Sequence, residues 1–123
     1  MMKNDASALR WLMALALLLL VGCAHQPVSL YQWGSYQDQV YLYFKGESRE
    51  AQIQALEKDL QVMQAAHRPV PPGLRAHLGM LYAETGSDAK AQENLLAEKA
   101  SYPESTTYID LLLKKYQKQV ALP

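Results

Sequence analysis

Apolar residues run unbroken from Trp11 to Gly22, behind Lys3 and Arg10. A block of this length suits a short helix that engages export machinery, and it falls under the roughly 20 residues needed to span a bilayer core. Past Pro27 the pattern changes to an aromatic cluster, Leu30-Tyr31-Gln32-Trp33-Gly34-Ser35-Tyr36, followed by Val40-Tyr41-Leu42-Tyr43-Phe44. As a strand, Val40, Leu42 and Phe44 alternate with Tyr41 and Tyr43; as a helix, Trp33, Tyr36, Val40, Tyr43 and Phe44 share one face. Helix is favoured, because no later segment offers a partner strand and an isolated strand leaves its backbone groups unpaired.

Beyond Gly46 the period is helical. Ser48 is a suitable N-cap, and Ile53, Leu56, Leu60 and Met63 recur at steps of 3, 4 and 3. Glu50 near the start and His67 with Arg68 near the end suit the helix macrodipole, and Pro69, Pro71 and Pro72 stop the element. Glu57 and Asp59, two apart on this helix, point in different directions and make no carboxylate pair.

The 34 residues from Pro72 to Ser105 carry Leu78-Gly79, Tyr82, Gly86, Ala91, Leu95 and Pro103 at the offsets of a tetratricopeptide repeat. Gly79 and Ala91 let two antiparallel helices approach closely, Tyr82 packs between them, Gly86 frees the turn and Pro103 ends the unit. Arg75 and Glu98 depart from that pattern, where a large apolar and a small residue are usual, so the unit reads as a degenerate or isolated repeat. Ser101 and Glu104 form an S-x-x-E capping box around Pro103 that predicts a further helix. Its apolar stripe is expected at Tyr108, Leu111, Leu112 and Tyr116, with Lys114, Lys115 and Lys118 as solvated charge at its end.

These elements predict an all-α fold of two TPR-like helix-turn-helix units, Tyr36 to His67 with Gly46 at the turn and Leu74 to Ala100 with Gly86 at the turn. A C-terminal helix caps them, because each unit alone is too thin to bury its apolar face. The expected organisation is a lipoprotein signal peptide at 1–22, a lipidated tether with the aromatic segment at 23–35, and a helical domain at 36–123.

The segment Leu20-Val21-Gly22-Cys23 fits the lipobox of bacterial lipoproteins. There the cysteine sulfur becomes a thioether to diacylglycerol, and cleavage leaves Cys23 as an N-terminus able to take a third chain such as palmitate. Each buried CH₂ contributes about 0.8 kcal/mol, so two or three chains anchor stably where one does not. Ala24 stands where an Asp would resemble an inner-membrane retention signal, so the expected location is the outer membrane of a Gram-negative bacterium, with the domain facing the periplasm. The tether from His25 to Ser29 is short and places any partner near the membrane.

Composition narrows the function. Across 123 residues, 12 Lys+Arg balance 12 Asp+Glu, which gives no electrostatic reason to expect nucleic acid. Cys23 is the single cysteine, so neither an internal disulfide nor a Cys-based zinc cage is available. No catalytic constellation, metal site or cofactor loop is visible, and the three histidines are scattered over tether, helix end and repeat. The expectation is a non-enzymatic interaction module, with a hydrolase of unrecognised site as the competing class. Candidate partner-binding residues are Tyr31, Trp33, Tyr36, Tyr41 and Tyr43, because Tyr and Trp dominate interface hot spots, although core packing is the favoured account of these rings in a domain this small. His77, in the first helix of the repeat, is a further candidate that either lines its concave face or is exposed.

The segments LYQWGSYQDQVYLYFKGES, PPGLRAHLGMLYAETG, EKASYPES and YIDLLLKK together resemble the domain of unknown function 4810 family of short proteobacterial lipoproteins. The resemblance spans nearly the whole chain after Cys23 and carries over no catalytic residue. It implies an outer-membrane lipoprotein that accompanies two others, one similar to the curli-secretion-channel lipoprotein. The partners expected are thus the membrane, through Cys23, and other outer-membrane lipoproteins. The alternative function is regulation of a peptidoglycan synthase, against which the short tether counts.

Overall fold

The computed structural model describes residues 3–19 and 29–120, which contain six α-helices, one 3-10 turn and no strand. Helix α1 (Lys3–Leu19) covers most of the apolar block, and its described side chains are exposed, Trp11 at 78%. At about 1.5 Å per residue it is shorter than a bilayer core. No helix among the described residues is long and apolar enough to cross a membrane. Cys23, Ala24 and the rest of the proposed lipobox lie outside the described residues.

The aromatic stretch is helical, as α2 (Tyr36–Phe44), and pairs with α3 (Arg49–Ala65). The turn between them is closed by Gly46 N–H to Tyr43 O at 3.0 Å and Glu47 N–H to Leu42 O at 3.1 Å. This pairing of bonds needs a left-handed residue just past the helix, which Gly46 supplies at φ +78°. The same two bonds recur after α4 (Leu74–Glu84) around Gly86, and after α3 around His67, a non-glycine residue at φ 51°. His67 therefore ends α3 by backbone conformation, and prolines follow it. At the other end of α3, Ser48 Oγ accepts the Ala51 N–H at 3.3 Å, the expected cap.

The second hairpin pairs α4 with α5 (Asp88–Ser101), and α4 also packs on α3 and on α6 (Thr106–Val120). Close approach at α5 depends on Gly79, where an added Cβ would lie 2.8 Å from Leu95 Cγ and 3.1 Å from the Ala91 carbonyl oxygen. One core cluster joins Ile53, Leu56 and Met63 of α3 to Leu74, Leu78, Leu81 and Tyr82 of α4 and Ala91 of α5. A second joins Ala76 and Leu95 to Ile109, Leu112 and Tyr116 of α6. Complete burial of each such leucine contributes about 1.5–3 kcal/mol, so α4, feeding both clusters, is the element on which the fold depends.

Two expectations near the C-terminus are corrected. Ser101 is the last residue of α5 rather than a cap of the next helix. The chain turns through the 3-10 segment Pro103–Ser105, where Ser105 Oγ donates to Tyr102 O at 2.7 Å and Thr106 Oγ1 to Pro103 O at 2.6 Å. The buried stripe of α6 is Ile109, Leu112 and Tyr116, while Tyr108 and Leu111 are 51% and 64% exposed. Two apolar stripes lie one residue apart on this helix, and contact with Ala76 and Leu95 selects between them.

Candidate functional site

A groove of about 230 Å³ opens between α2, α4 and α6. Tyr36, Val40, Tyr43 and Phe44 form its α2 wall, at helical steps of four, three and one. Ala76, His77 and Met80 of α4 line it from below, and Tyr108 closes it from α6, its hydroxyl 3.5 Å from Met80 Sδ. The groove thus sits where the three odd-numbered steps of the bundle, counted from α2, face one another.

Rings form a continuous ladder from the N-terminal segment into this groove. Tyr31 meets Trp33 edge to face at 6.0 Å, Trp33 stacks on Tyr36 at 6.3 Å, and Tyr36 and Tyr43 flank the His77 imidazole at 6.1 and 5.3 Å. Tyr31 also touches Tyr102. Such offset and edge contacts are the favoured aromatic geometries and fix the rings relative to one another. Of the six candidates, Tyr31, Trp33, Tyr36, Tyr43 and His77 belong to this ladder. Tyr41 does not: it lies outside the groove, 60% exposed, with the Lys45 ammonium 4.8 Å from its ring centre.

Polar ties hold the walls in place. Tyr43 donates its O–H to Glu84 Oε1 at 2.6 Å, and Arg49 reaches Glu84 Oε2 at 3.1 Å while lying over the Tyr43 ring. The hydrogen bond to Glu84, followed by burial, raises the Tyr43 hydroxyl above its ordinary pKa. At the opposite end Tyr36 presses its hydroxyl on Gly73, where a Cβ would come within 2.6 Å of that oxygen. Gly73 also donates its N–H to Glu98 Oε1 at 2.6 Å. Burial, and then the Glu98 charge, raise the Tyr36 pKa. Glu98, the departure from the repeat pattern, is therefore the acceptor that ties the start of α4 to α5. Upstream, Asp59 Oδ2 accepts both Ser35 N–H and Ser35 O–H at 2.7 Å, which pins the aromatic segment to α3. Glu57 turns elsewhere, accepting from the Tyr82 hydroxyl.

His77 is only 8% exposed, so the expectation that it is either exposed or lining the groove resolves to a buried lining residue. Its Nε2 is buried without a hydrogen-bond partner. Burial holds its pKa below the usual histidine range, opposed in part by the Glu84 charge, so the ring is neutral at neutral pH. Among the described residues no group of three His, Cys, Asp or Glu side chains is placed to hold a metal ion. A second groove of about 240 Å³ between α5 and α6, lined by Leu95, Leu113 and Tyr116, has no unpaired buried polar atom among its lining residues.

Sequence reasoning did not single out Met80 or Gly73, and it placed Tyr108 on the packed stripe of the last helix and not in a groove. Gly73, Ala76, His77 and Met80 stand at i, i+3, i+4 and i+7, a stripe that would have placed Met80 beside His77. The groove position of Tyr108 had no comparable signal, because the two apolar stripes of α6 compete.

No curated protein and no solved structure matches the chain. A family model described as domain of unknown function (DUF4810) matches residues 30–112, from the aromatic segment into the first half of α6. By that match, the chain belongs to the DUF4810 family.

Proposed function

We propose that this protein is an outer-membrane lipoprotein, acylated at Cys23, whose helical body is a non-enzymatic interaction module or assembly factor in a lipoprotein complex of secretion-channel type. The observation that carries the reading is the aromatic groove between α2, α4 and α6, walled by Tyr36, Tyr43, Phe44 and Tyr108. Ligand and partner sites are typically concave and largely apolar with a few placed polar groups, and aromatic anchors dominate interface energetics. The lipobox at Leu20 to Cys23 supports the anchor, and the tetratricopeptide offsets from Leu78 to Pro103 support a stacked-hairpin scaffold for it. Because the ladder begins at Tyr31, eight residues past Cys23, the groove would work close to the lipid surface.

Two measurements test this. Globomycin, which blocks lipoprotein signal peptidase, should cause a longer precursor to accumulate, and Cys23→Ser should lose acyl label and membrane retention; unchanged mobility would remove the anchor. A photo-crosslinking residue at Phe44, on the groove rim and 81% exposed, should capture a discrete lipoprotein in native membranes, while one at Val62 on α3 should not. Capture of a peptidoglycan synthase instead would favour the regulatory alternative.

A further inference from the structure

Helix α6 has two faces of different chemistry. Ile109, Leu112 and Tyr116 are buried against the bundle. On the opposite side Thr107, Leu111, Lys114 and Lys118 stand at i, i+4, i+7 and i+11 and are all exposed, Leu111 at 64%. Tyr108, 51% exposed, and Lys115, whose ammonium lies 5.4 Å from the Tyr116 ring centre, border one edge of this stripe. Asp110, the single acid of the helix, is bound instead to Lys99 of α5 at 2.7 Å. Glu104 lies in the 3-10 turn, about 15 Å along the axis from Lys114 at 1.5 Å per residue. Among the described residues none of the three lysines has an ion-pair partner. The outer half of α6 therefore gathers three uncompensated ammonium groups around an exposed leucine.

That combination suits a layer of phospholipid headgroups. Phosphates compensate the ammonium groups, the lysine stems lie along apolar surface, and leucine and tyrosine side chains enter the boundary with the acyl chains. Position favours the same occupant. Tyr31 touches Tyr102, the residue before the turn into α6, and Tyr36 and Tyr108 line one groove, so the segment that follows Cys23 runs beside the start of α6. Ser29 is six residues past Cys23, a reach of at most about 20 Å, and Leu30 next to it is 69% exposed.

We propose that the outward stripe of α6, Thr107, Leu111, Lys114 and Lys118 with Tyr108 and Lys115 at its edge, lies on an anionic phospholipid surface. This rests on acylation at Cys23 for its proximity to lipid and adds a second, electrostatic contact that fixes how the helical body is oriented on the membrane.

The test uses the acylated mature chain, in which the Cys23 sulfur is consumed, so that Thr107→Cys takes a nitroxide at one place on the stripe. In vesicles of phosphatidylethanolamine and phosphatidylglycerol the label should collide with dissolved oxygen in preference to a water-soluble nickel chelate. In phosphatidylcholine vesicles the preference should reverse, and a label at Val62 on α3 should sample water in both. Leu111→Ser, or Lys114→Glu with Lys118→Glu, should return the Thr107 label to water without unfolding the protein, because all three positions are exposed. A label that samples water in both vesicle types would overturn the proposal. So would protection from both collision partners without lipid, which would place a second copy on the face, or only after membrane proteins are added, which would place an acidic protein there. Neither core cluster draws on α1, so residues 23–123 carrying Cys23→Ser provide an arm independent of acylation. Their sedimentation with the anionic vesicles should be weak and salt-sensitive and should fall about fivefold for each of Lys114, Lys115 and Lys118 replaced by Gln. Such binding by a chain found to be unacylated in cells would remove the anchor and leave the lipid face standing. An acylated chain whose Thr107 label stays in water would do the reverse.

Discussion

The two hairpins share a turn geometry and differ in how their helices meet. Between α4 and α5, Gly79 and Ala91 bring backbones together and the apolar side chains on both sides are sealed into the two core clusters. Around α2 and α3 hydrogen bonds tie the ends, with Gln52 Nε2 donating to Glu47 O of the turn at 3.1 Å and Asp59 holding Ser35 ahead of α2, while Tyr36 and Tyr43 are only partly buried against the core. The rings of α2 are then left to face α4 across an open groove. A helical pair brought together by small residues seals its apolar faces into the core, whereas the half-buried rings of α2 leave apolar surface beside a groove. The second hairpin is therefore the more tightly packed of the two, and the first borders the groove.

The contrast predicts a graded series of effects. Leu78→Ala, in the fully buried face of α4, should destabilise the protein most, by about 2–5 kcal/mol through lost burial plus the cavity left behind, read as a lower urea midpoint. Gly79→Ala should cost about 1–3 kcal/mol by overpacking against Leu95 and Ala91. Gly46→Ala, whose Cβ would meet nothing, should cost about 1–2 kcal/mol through its left-handed backbone alone. If the two glycine variants behaved identically in a core-packing probe such as near-ultraviolet circular dichroism, the sealed hairpin would lose its distinction.

Asp59→Ala should cost less, about 1 kcal/mol, because the site is partly hydrated, and should release the aromatic segment from α3. Faster hydrogen exchange at Ser35, with the α4 amides unaffected, is the expected signature. The smallest effect lies in acid. His77 has its folded pKa below the unfolded value of about 6.5, so the unfolded chain takes up the proton first. Stability is complete above that value and declines as pH falls from it towards the lower folded pKa. His77→Phe should flatten this limb of the urea-midpoint profile; an unchanged slope would mean the imidazole is hydrated in the groove.

Much of the scaffold was legible in local sequence. Ser48 as a cap, Gly46 and Gly86 at the turns, and Gly79 as a point of close approach each follow from one residue's own stereochemistry. The α2 face was legible only by elimination, since the same residues also alternate as a strand would and it was the lack of a partner strand that favoured helix. The α6 stripe was not, because Tyr108 with Leu111 and Ile109 with Leu112 are equally apolar, and only the surface presented by Ala76 and Leu95 distinguishes them. Nor was the burial of His77, whose cover comes from Tyr36 and Tyr43, more than thirty residues earlier. Ser101 and Glu104 matched a capping box by spacing, yet α5 extends through Ser101 and Pro103 starts a 3-10 turn instead.

By itself the sequence determined that this chain is helical and where its turns fall, because capping, glycine conformation and hydrophobic period act within a few residues. Tertiary structure decided which apolar stripe of α6 is covered, that Glu98 fastens Gly73, and that a neutral histidine lies between two tyrosines with one nitrogen unpaired. Those outcomes depend on which surfaces meet across the bundle, and burial and desolvation have no value until they do.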